Sequence, residues 1–275
     1  MNLSQLSKIA IKAARAAGTV IQKHMNDEIK VEKKEGGDSY ASQVVTAVDI
    51  ACEKVILSHL LPTCDEFNLA LLTEESVDNG SRFEEDYFWC IDPMDGTLAF
   101  IQGQPGFSVS IALVAKDGTP CIGVVFDPST DTMYHAIQGS GAFKNGSPWE
   151  IKHGNHHLTY VTDRKLKDTP RAAEIESLLH EQVKKLGLKG LTEMAGGGSV
   201  LNGIRVVENG PACMLKLPKK ENGGGSLWDF AATACIFQEL GVPATNFAGR
   251  RLELNRKDDT FMNREGVFYS NFIKR

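Results

Sequence analysis

The sequence feature that most constrains the fold is an apolar run between Phe88 and Phe100 that ends abruptly in acidic residues. Its first residues, Phe-Trp-Cys-Ile, predict a buried β-strand, and this strand leads directly into Asp92 and Asp95. Because an unpaired buried carboxylate is costly, acids at the end of a buried strand need a cation or strong hydrogen-bond donors beside them. The stretch therefore predicts a charged site, built at the end of one strand, around which the chain folds.

Length and charge limit the class of protein. The chain of 275 residues can bury a substantial core, either as one large domain or as two closely packed ones. A formal net charge of -5 argues against nucleic-acid binding through a basic surface, although bound divalent cations would still allow an anionic small substrate. The start of the sequence lacks the pattern of a signal peptide, and no apolar run approaches membrane length. We expect a cytoplasmic protein that binds neither nucleic acid nor membranes.

The two halves of the chain differ in pattern. Residues 1–152 predict an α+β half, in which an amphipathic first helix is followed by a loop over 28–42, a second helix and an antiparallel meander between 109 and 137. The loop is interpreted as a plain connection, with a lid over the site as the alternative. The polar segment 153–157 is the predicted boundary. Residues 153–275 alternate helices and strands, which predicts an α/β half that completes the site.

Three further acids precede or follow the opening stretch. Asp49 lies three residues after Thr46, which fits a capping box at the start of the second helix. Glu74 follows a short apolar run, where paired acids usually form a solvated turn, although a strand-loop-strand path could bring it beside Asp92. Asp229 lies in the predicted first turn of a helix, where the macrodipole favours an acid. Each acid thus has an ordinary structural explanation when it is taken alone.

Taken together, the acids predict a metal-assisted phosphatase. Carboxylate oxygens are hard ligands that suit Mg²⁺ or Mn²⁺. The candidate metal ligands are Glu74, Asp92, Asp95 and Asp229, with the backbone carbonyl of Met94. Gly96 and Thr97 would open a helix whose free amides can cradle a phosphate. Several carboxylates beside such a cradle suggest two or more metal ions clamping a phosphate ester.

Four motifs carry a resemblance to a known family. They are Val45-Thr46-Ala47-Val48-Asp49, Thr73-Glu74-Glu75-Ser76, Ile91-Asp92-Pro93-Met94-Asp95-Gly96-Thr97 and Trp228-Asp229. In this order and at these spacings the chain resembles the inositol monophosphatase superfamily, including the CysQ-type 3'(2'),5'-bisphosphate nucleotidases. The resemblance implies an α+β fold, the layered α-β-α-β-α sandwich shared with fructose-1,6-bisphosphatase. It also implies two or three Mg²⁺ ions, replaceable by Mn²⁺, together with lithium inhibition and, as is common in the family, a homodimer.

The resemblance also implies residue roles. Glu74, Asp92, Asp95, Asp229 and the Met94 carbonyl would hold the metal ions, and Glu74 would belong to the catalytic group with Asp49 and Thr97. Thr97, oriented by Asp49, would position or deprotonate the attacking water. The Gly96 and Thr97 amides would bind the phosphate. Gly198 and Ser199 would face the leaving group, and Asp229 would also contact the substrate.

The substrate is less well determined than the chemistry. Leu98-Ala99 and Leu201-Asn202 stand where nucleotidases of this group often have Lys-Glu and a lysine, and the Thr-Asn usual in inositol monophosphatases is absent too. By contrast, Phe107–Val114 and the glycines before Ser226 resemble CysQ-type members. We therefore expect hydrolysis of 3'-phosphoadenosine 5'-phosphate to AMP, with inositol 1-phosphate as the alternative.

Two other classes stay open at this point. Haloacid-dehalogenase phosphatases also end a strand in Asp-x-Asp-Gly-Thr, but there the two acids lie two residues apart, whereas Asp92 and Asp95 lie three apart. A non-catalytic binding protein with the same fold is the second alternative. It is disfavoured because every proposed ligand is present, as is Thr97.

Overall fold

The computed structural model describes residues 1–25, 31–33, 44–151 and 154–272, and gives only the backbone for 31–33 and 44–45. The helices in this part of the chain are α1 (Leu3–His24), α2 (Ala47–Phe67), α3 (Thr97–Ile101), α4 (Ala172–Lys185), α5 (Ser199–Glu208) and α6 (Leu227–Glu239). The strands of the first half are β1 (Val31–Lys33), β2 (Val44–Thr46), β3 (Leu69–Thr73), β4 (Tyr87–Asp95), β5 (Ser108–Ala115), β6 (Pro120–Asp127), β7 (Thr132–Ile137), β8 (Gly141–Lys144) and β9 (Ser147–Pro148). Those of the second half are β10 (His157–Thr162), β11 (Gly190–Ala195), β12 (Ala212–Lys216), β13 (Ala244–Thr245) and β14 (Val267–Ser270).

A seven-stranded sheet, in the order β3-β4-β5-β6-β7-β8-β9, forms the first β-layer. Its central strands β4, β5 and β6 are buried on both faces, since their successive side chains, which point to opposite sides of the strand, are nearly all buried. In β4, Trp89 and Ile91 pack toward α1 and α2, whereas Phe88 and Cys90 pack into the core that contains α6. This burial on both faces explains why the run from Phe88 is continuously apolar rather than alternating.

A five-stranded sheet, in the order β11-β10-β12-β14-β13, forms the second β-layer. β10 pairs in parallel with β11 on one side and with β12 on the other. Tyr160 and Leu215 pack against α4 on one face, while Val161 and Met214 face the core that contains α5 and α6. The pair α5 and α6 therefore lies between the two sheets.

The resulting order of layers is α1 and α2, the seven-stranded sheet, α5 and α6, the five-stranded sheet, and α4. This is the α-β-α-β-α sandwich that the sequence predicted, and the prediction is confirmed. The middle helices pack against both sheets, so the elements that end between the sheets converge on a shared region.

Most predicted elements lie where the sequence placed them, including the first two helices, the meander β5-β6-β7 and the helices α4 to α6. The sequence did not predict β1, β2, β8, β9, β11, β13 or β14 as strands. β11 is an edge strand with largely exposed side chains, and β13 has two residues, so neither carries a clear apolar pattern. Strands of this kind are defined by their hydrogen-bond partners rather than by their own residues.

Two sequence predictions fall partly on residues outside this description. Of the segment 28–42, only β1 is described, and it pairs antiparallel with β2. Of the predicted boundary segment 153–157, residue 153 lies outside the described residues, and the division into halves stays a prediction. Within the described ranges, no helix has the length and apolar composition that a membrane span requires.

Candidate metal centre

Three carboxylates meet where β4 ends and α6 begins. β4 carries one extra residue relative to β5, since Asp92 lies opposite Ser110 and Asp95 lies opposite Ser108. This bulge turns both carboxylates to one side, although residues three apart would face opposite sides of a regular strand. The Ser110 hydroxyl also donates to the Trp228 carbonyl at 3.1 Å, which joins β5 to the first turn of α6. One carboxylate oxygen from each of Asp92, Asp95 and Asp229 consequently lies within 4.8 Å of the others.

These carboxyl groups need a cation to be ionised together. Burial raises the pKa of Asp92 well above its ordinary value, and the charges of Glu74, Asp95 and Asp229 raise it further. Burial, and next the charge of Asp229, likewise raises the pKa of Asp95. The pKa of Asp229 rises to about 6, again because of burial first and the charge of Glu74 second. These carboxylate oxygens are hard donors whose negative charges repel one another. A divalent cation bound between them would remove this repulsion, so the set fits such a cation.

Backbone amides fix the orientation of each acid. Asp92 Oδ1 accepts from the Met94 amide at 3.0 Å, and one oxygen of Asp229 accepts from the Ser226 amide. Asp95 receives two bonds, from the Ser199 and Val200 amides, both at 3.0 Å. Asp95 therefore satisfies free amides in the first turn of α5, an element more than one hundred residues away in the sequence.

Asp49 joins the start of α2 to the start of α3. Its Oδ2 accepts from the Thr46 amide at 2.8 Å and the Thr46 hydroxyl at 2.6 Å, which confirms the predicted capping box. Its Oδ1 accepts from the Thr97 hydroxyl at 2.9 Å. The capping role and the contact with Thr97 thus coexist, one on each oxygen. The Thr97 hydroxyl also lies 3.1 Å from the Met94 carbonyl oxygen, which competes for the same proton.

Glu74 lies beside the cluster because β3 and β4 are parallel neighbours. The Glu74 amide donates to the Ile91 carbonyl at 3.1 Å, so the residue follows β3 next to the end of β4. Its negative charge contributes to raising the pKa of Asp92, Asp95 and Asp229. On α2, the buried Glu53 accepts from the Thr73 hydroxyl and, at 2.9 Å, from the Ser76 hydroxyl, and so holds both sides of the turn that carries Glu74.

Glycines allow three backbone segments to cross behind Asp95. A Cβ atom on Gly96 would lie 2.5 Å from the Gly106 carbonyl oxygen, and one on Gly198 would lie 2.1 Å from Asp95 Oδ2. The Gly198 amide donates to the Gly106 carbonyl at 2.7 Å. Any side chain larger than hydrogen at these positions would separate the segments that form the site.

The structure brings all the sequence-predicted site residues into one region, with Gly198 and Ser199 placed against the Asp95 carboxylate. Sequence reasoning missed Glu53, Gly106 and Arg205. Glu53 lies four residues after Asp49 on the same helical face, a spacing that could have identified it. Arg205 donates to the Gly196 carbonyl and, at 2.8 Å, to Asn202 Oδ1, so it steadies the turn before α5. No sequence signal pointed to that contact or to Gly106.

Known proteins resemble this chain over nearly its full length. A family model described as the inositol monophosphatase family matches residues 2–272. Inositol monophosphatase 3 of Solanum lycopersicum is 34% identical over 93% of this chain and 91% of its own length. A fructose-1,6-bisphosphatase/inositol-1-monophosphatase of Thermotoga maritima is 27% identical over 96% of this chain and 93% of its own length.

Among solved structures, an inositol monophosphatase from Anabaena (Nostoc) sp. PCC 7120 superposes with a TM-score of 0.71 at 26% identity, covering 98% of this chain and 92% of that chain. The match over nearly the full length agrees with the layered fold and with the acid cluster at the end of β4. The chain belongs to the inositol monophosphatase family and is a metal-dependent phosphoric monoester hydrolase.

Proposed function

We propose that the protein is a Mg²⁺-dependent phosphatase that hydrolyses 3'-phosphoadenosine 5'-phosphate to AMP and phosphate. The observation that carries the chemistry is the convergence of Asp92, Asp95 and Asp229 within 4.8 Å. Their oxygens, with Glu74 beside them and the Met94 carbonyl at the end of β4, form a donor set that suits Mg²⁺ or Mn²⁺. Two or three ions are expected, and lithium is expected to inhibit. When bound, such ions neutralise phosphate charge and lower the pKa of water.

The chain itself provides the groups that handle the water and the phosphate. Thr97 Oγ1, held 2.9 Å from Asp49 Oδ1, orients the attacking water and passes its proton toward Asp49. Burial raises the pKa of Asp49, which makes it a better proton acceptor than an exposed aspartate. The water oxygen bonds to phosphorus, the bond from phosphorus to the leaving oxygen breaks, and that oxygen takes up a proton. The Gly96 and Thr97 amides, at the start of α3, would donate to the phosphate oxygens.

The nucleotide is favoured over inositol 1-phosphate on sequence grounds, through Phe107–Val114 and the glycines that precede Ser226. The family relatives favour the alternative, since the names of both reported relatives include an inositol monophosphatase. One of those names also includes a bisphosphatase, so substrates with a second phosphate occur among relatives. A cytoplasmic location, a homodimer and the absence of nucleic-acid binding stay predictions.

The test is phosphate release from 3'-phosphoadenosine 5'-phosphate and inositol 1-phosphate side by side, with Mg²⁺ and with a chelator. We expect faster release from the nucleotide and none with chelator. Asp95→Asn should lower the rate about a hundredfold or more, because one member of a preorganised charged site is lost. Asp65→Asn, an exposed acid on α2, is the matched control and should behave as wild type.

Three outcomes would contradict parts of the proposal. Wild-type activity in Asp95→Asn would refute the assignment of Asp95 as a metal ligand. Preference for inositol 1-phosphate would replace the substrate and leave the chemistry intact. A phosphoaspartyl intermediate after acid quench would support the haloacid-dehalogenase alternative, which membership of the inositol monophosphatase family disfavours.

A further inference from the structure

The parallel strands of the second sheet end beside the acid cluster. β10 ends at Thr162 and is followed by Asp163, while β12 ends at Lys216. The connection from β10 to β11 runs through α4 on one face, and the connection from β11 to β12 runs through α5 on the other. The gap between β10 and β12 is therefore a topological switch point, the place where open α/β sheets bind ligands beyond the carboxyl ends of their strands.

An ion pair spans this switch point. Lys216 Nζ lies 3.5 Å from Asp163 Oδ2, and the Lys216 side chain is only 19% exposed. Asp163 Oδ1 also lies 3.8 Å from Arg164 Nε. The Asp163 carboxylate thus lies beside two cations, Lys216 and Arg164. Both distances exceed the 2.7–2.9 Å or so of a tight charge-assisted hydrogen bond, and an ammonium has three donors. Lys216 can consequently bind a further anion.

This edge of the sheet lies close to the acid cluster. α5 begins just after the turn that follows β11, and the amides of its first turn bind Asp95. The Gly196 amide donates to the Thr162 carbonyl at 2.9 Å, which holds that turn against the end of β10. The positive charge of Lys216 partly opposes the rise that burial causes in the pKa of both Asp95 and Asp229. A substrate whose phosphate lies at the acid cluster would extend its leaving portion toward Lys216.

We propose that Lys216 binds a second anionic group on the leaving portion of the substrate, so that the site selects small bisphosphorylated molecules over monophosphates. This inference rests on the proposed phosphatase function and deepens it.

The test compares two substrates that differ by one phosphate, adenosine 3',5'-bisphosphate and adenosine 3'-monophosphate. Lys216→Met keeps an unbranched side chain that is one heavy atom shorter, and it removes the charge. It should raise KM for the bisphosphate about 10- to 100-fold, as expected for the loss of hydrogen bonds to a charged group. Loss of the Lys216 charge beside Asp95 and Asp229 would affect both substrates alike, so the ratio of the two kcat values should change less than about threefold. KM for the monophosphate should rise far less than KM for the bisphosphate. Lys216→Arg should retain the preference. Lys12→Met, at an exposed position on α1, is the control.

Affinity gives a second readout without turnover. Titration calorimetry with Ca²⁺ in place of Mg²⁺ should show that wild type binds the bisphosphate more tightly than the monophosphate, and that Lys216→Met loses this difference. Equal losses for both substrates would overturn the proposal, because Lys216 would then act only through its charge on the acid cluster. Unchanged constants, or a wild type without preference for the bisphosphate, would overturn it as well. Wild type that binds with this preference but releases no phosphate would instead contradict the proposed function alone.

Discussion

Substitution of Gly198 tests how closely activity depends on the position of Asp95. The backbone at Gly198 has φ -76° and ψ 169°, a conformation that alanine adopts without strain. A Cβ atom there would lie 2.1 Å from Asp95 Oδ2 and 2.5 Å from Oδ1. Gly198→Ala therefore affects the site through contact with this carboxylate and not through backbone conformation.

The size of the effect follows from these distances. Ordinary contact with a Cβ atom begins at 3.4 Å, so the carboxylate or the turn must move by 3.4 minus 2.1, or about 1.3 Å. Such a shift also breaks the hydrogen bonds from the Ser199 and Val200 amides, which are 3.0 Å long. A displacement of about 1 Å at a catalytic group can lower the rate about a hundredfold. Overpacking of this kind costs about 1–3 kcal/mol of stability.

The assay is kcat/KM with saturating Mg²⁺, together with thermal unfolding of the same samples. Gly154→Ala is the matched control, because a Cβ atom at that position would have no other atom within 4 Å and the φ angle is not positive. We expect Gly198→Ala to lose about two orders of magnitude in kcat/KM and to remain folded, while Gly154→Ala stays at the wild-type level. If the two variants had similar activity, the placement of Asp95 by the turn before α5 would not matter for catalysis.

Two further predictions concern the acids around the cluster. When a chelator keeps metal ions away, Asp92, Asp95 and Asp229 have raised pKa values in the folded state, whereas in the unfolded state they lose their protons above the ordinary aspartate pKa of 3.8. The free energy of unfolding should therefore fall as pH rises from about 4 to above 6. The rise in the pKa of Asp229 to about 6 alone corresponds to a loss of about 3 kcal/mol in the free energy of unfolding across this pH range, at 1.36 kcal/mol per pKa unit. Thermal unfolding with chelator should show stability falling with pH, and Asp229→Asn should reduce the slope. A stability that stays constant or rises with pH would contradict the assignment. The second prediction concerns Glu53, which holds the turn that carries Glu74. Glu53→Ala should raise the Mg²⁺ concentration for half-maximal activity about tenfold or more, because loss of a residue that orients a metal ligand typically lowers metal affinity by that factor. Glu53→Gln should retain most of the affinity because both hydroxyls donate to a single oxygen, Oε1, and equal behaviour of the two variants would refute this positioning role.

The sequence was informative wherever the determining interactions are local. The period of apolar residues predicted α1, and Thr46 with Asp49 predicted the start of α2, because helix packing and capping depend on residues a few positions apart. The stretch from Phe88 to Phe100 likewise contains two of the clustered acids, the bulge between them and the start of α3. Its chemistry was readable because the backbone itself places these groups side by side.

The tertiary structure decided what depends on the crossing of distant segments. The capping of α5 by Asp95, the approach of Gly198 to that carboxylate and the pairing of Lys216 with Asp163 all arise where the two sheets meet around α5 and α6. No periodic pattern in the sequence predicts these contacts. Each joins elements that are far apart along the chain, and their separation in sequence does not indicate how close they lie in the fold. The sequence by itself determined the fold class and the metal-assisted chemistry; the packing of the layers determined which residues orient the acids and brought Lys216 beside Asp163 at the carboxyl ends of β10 and β12.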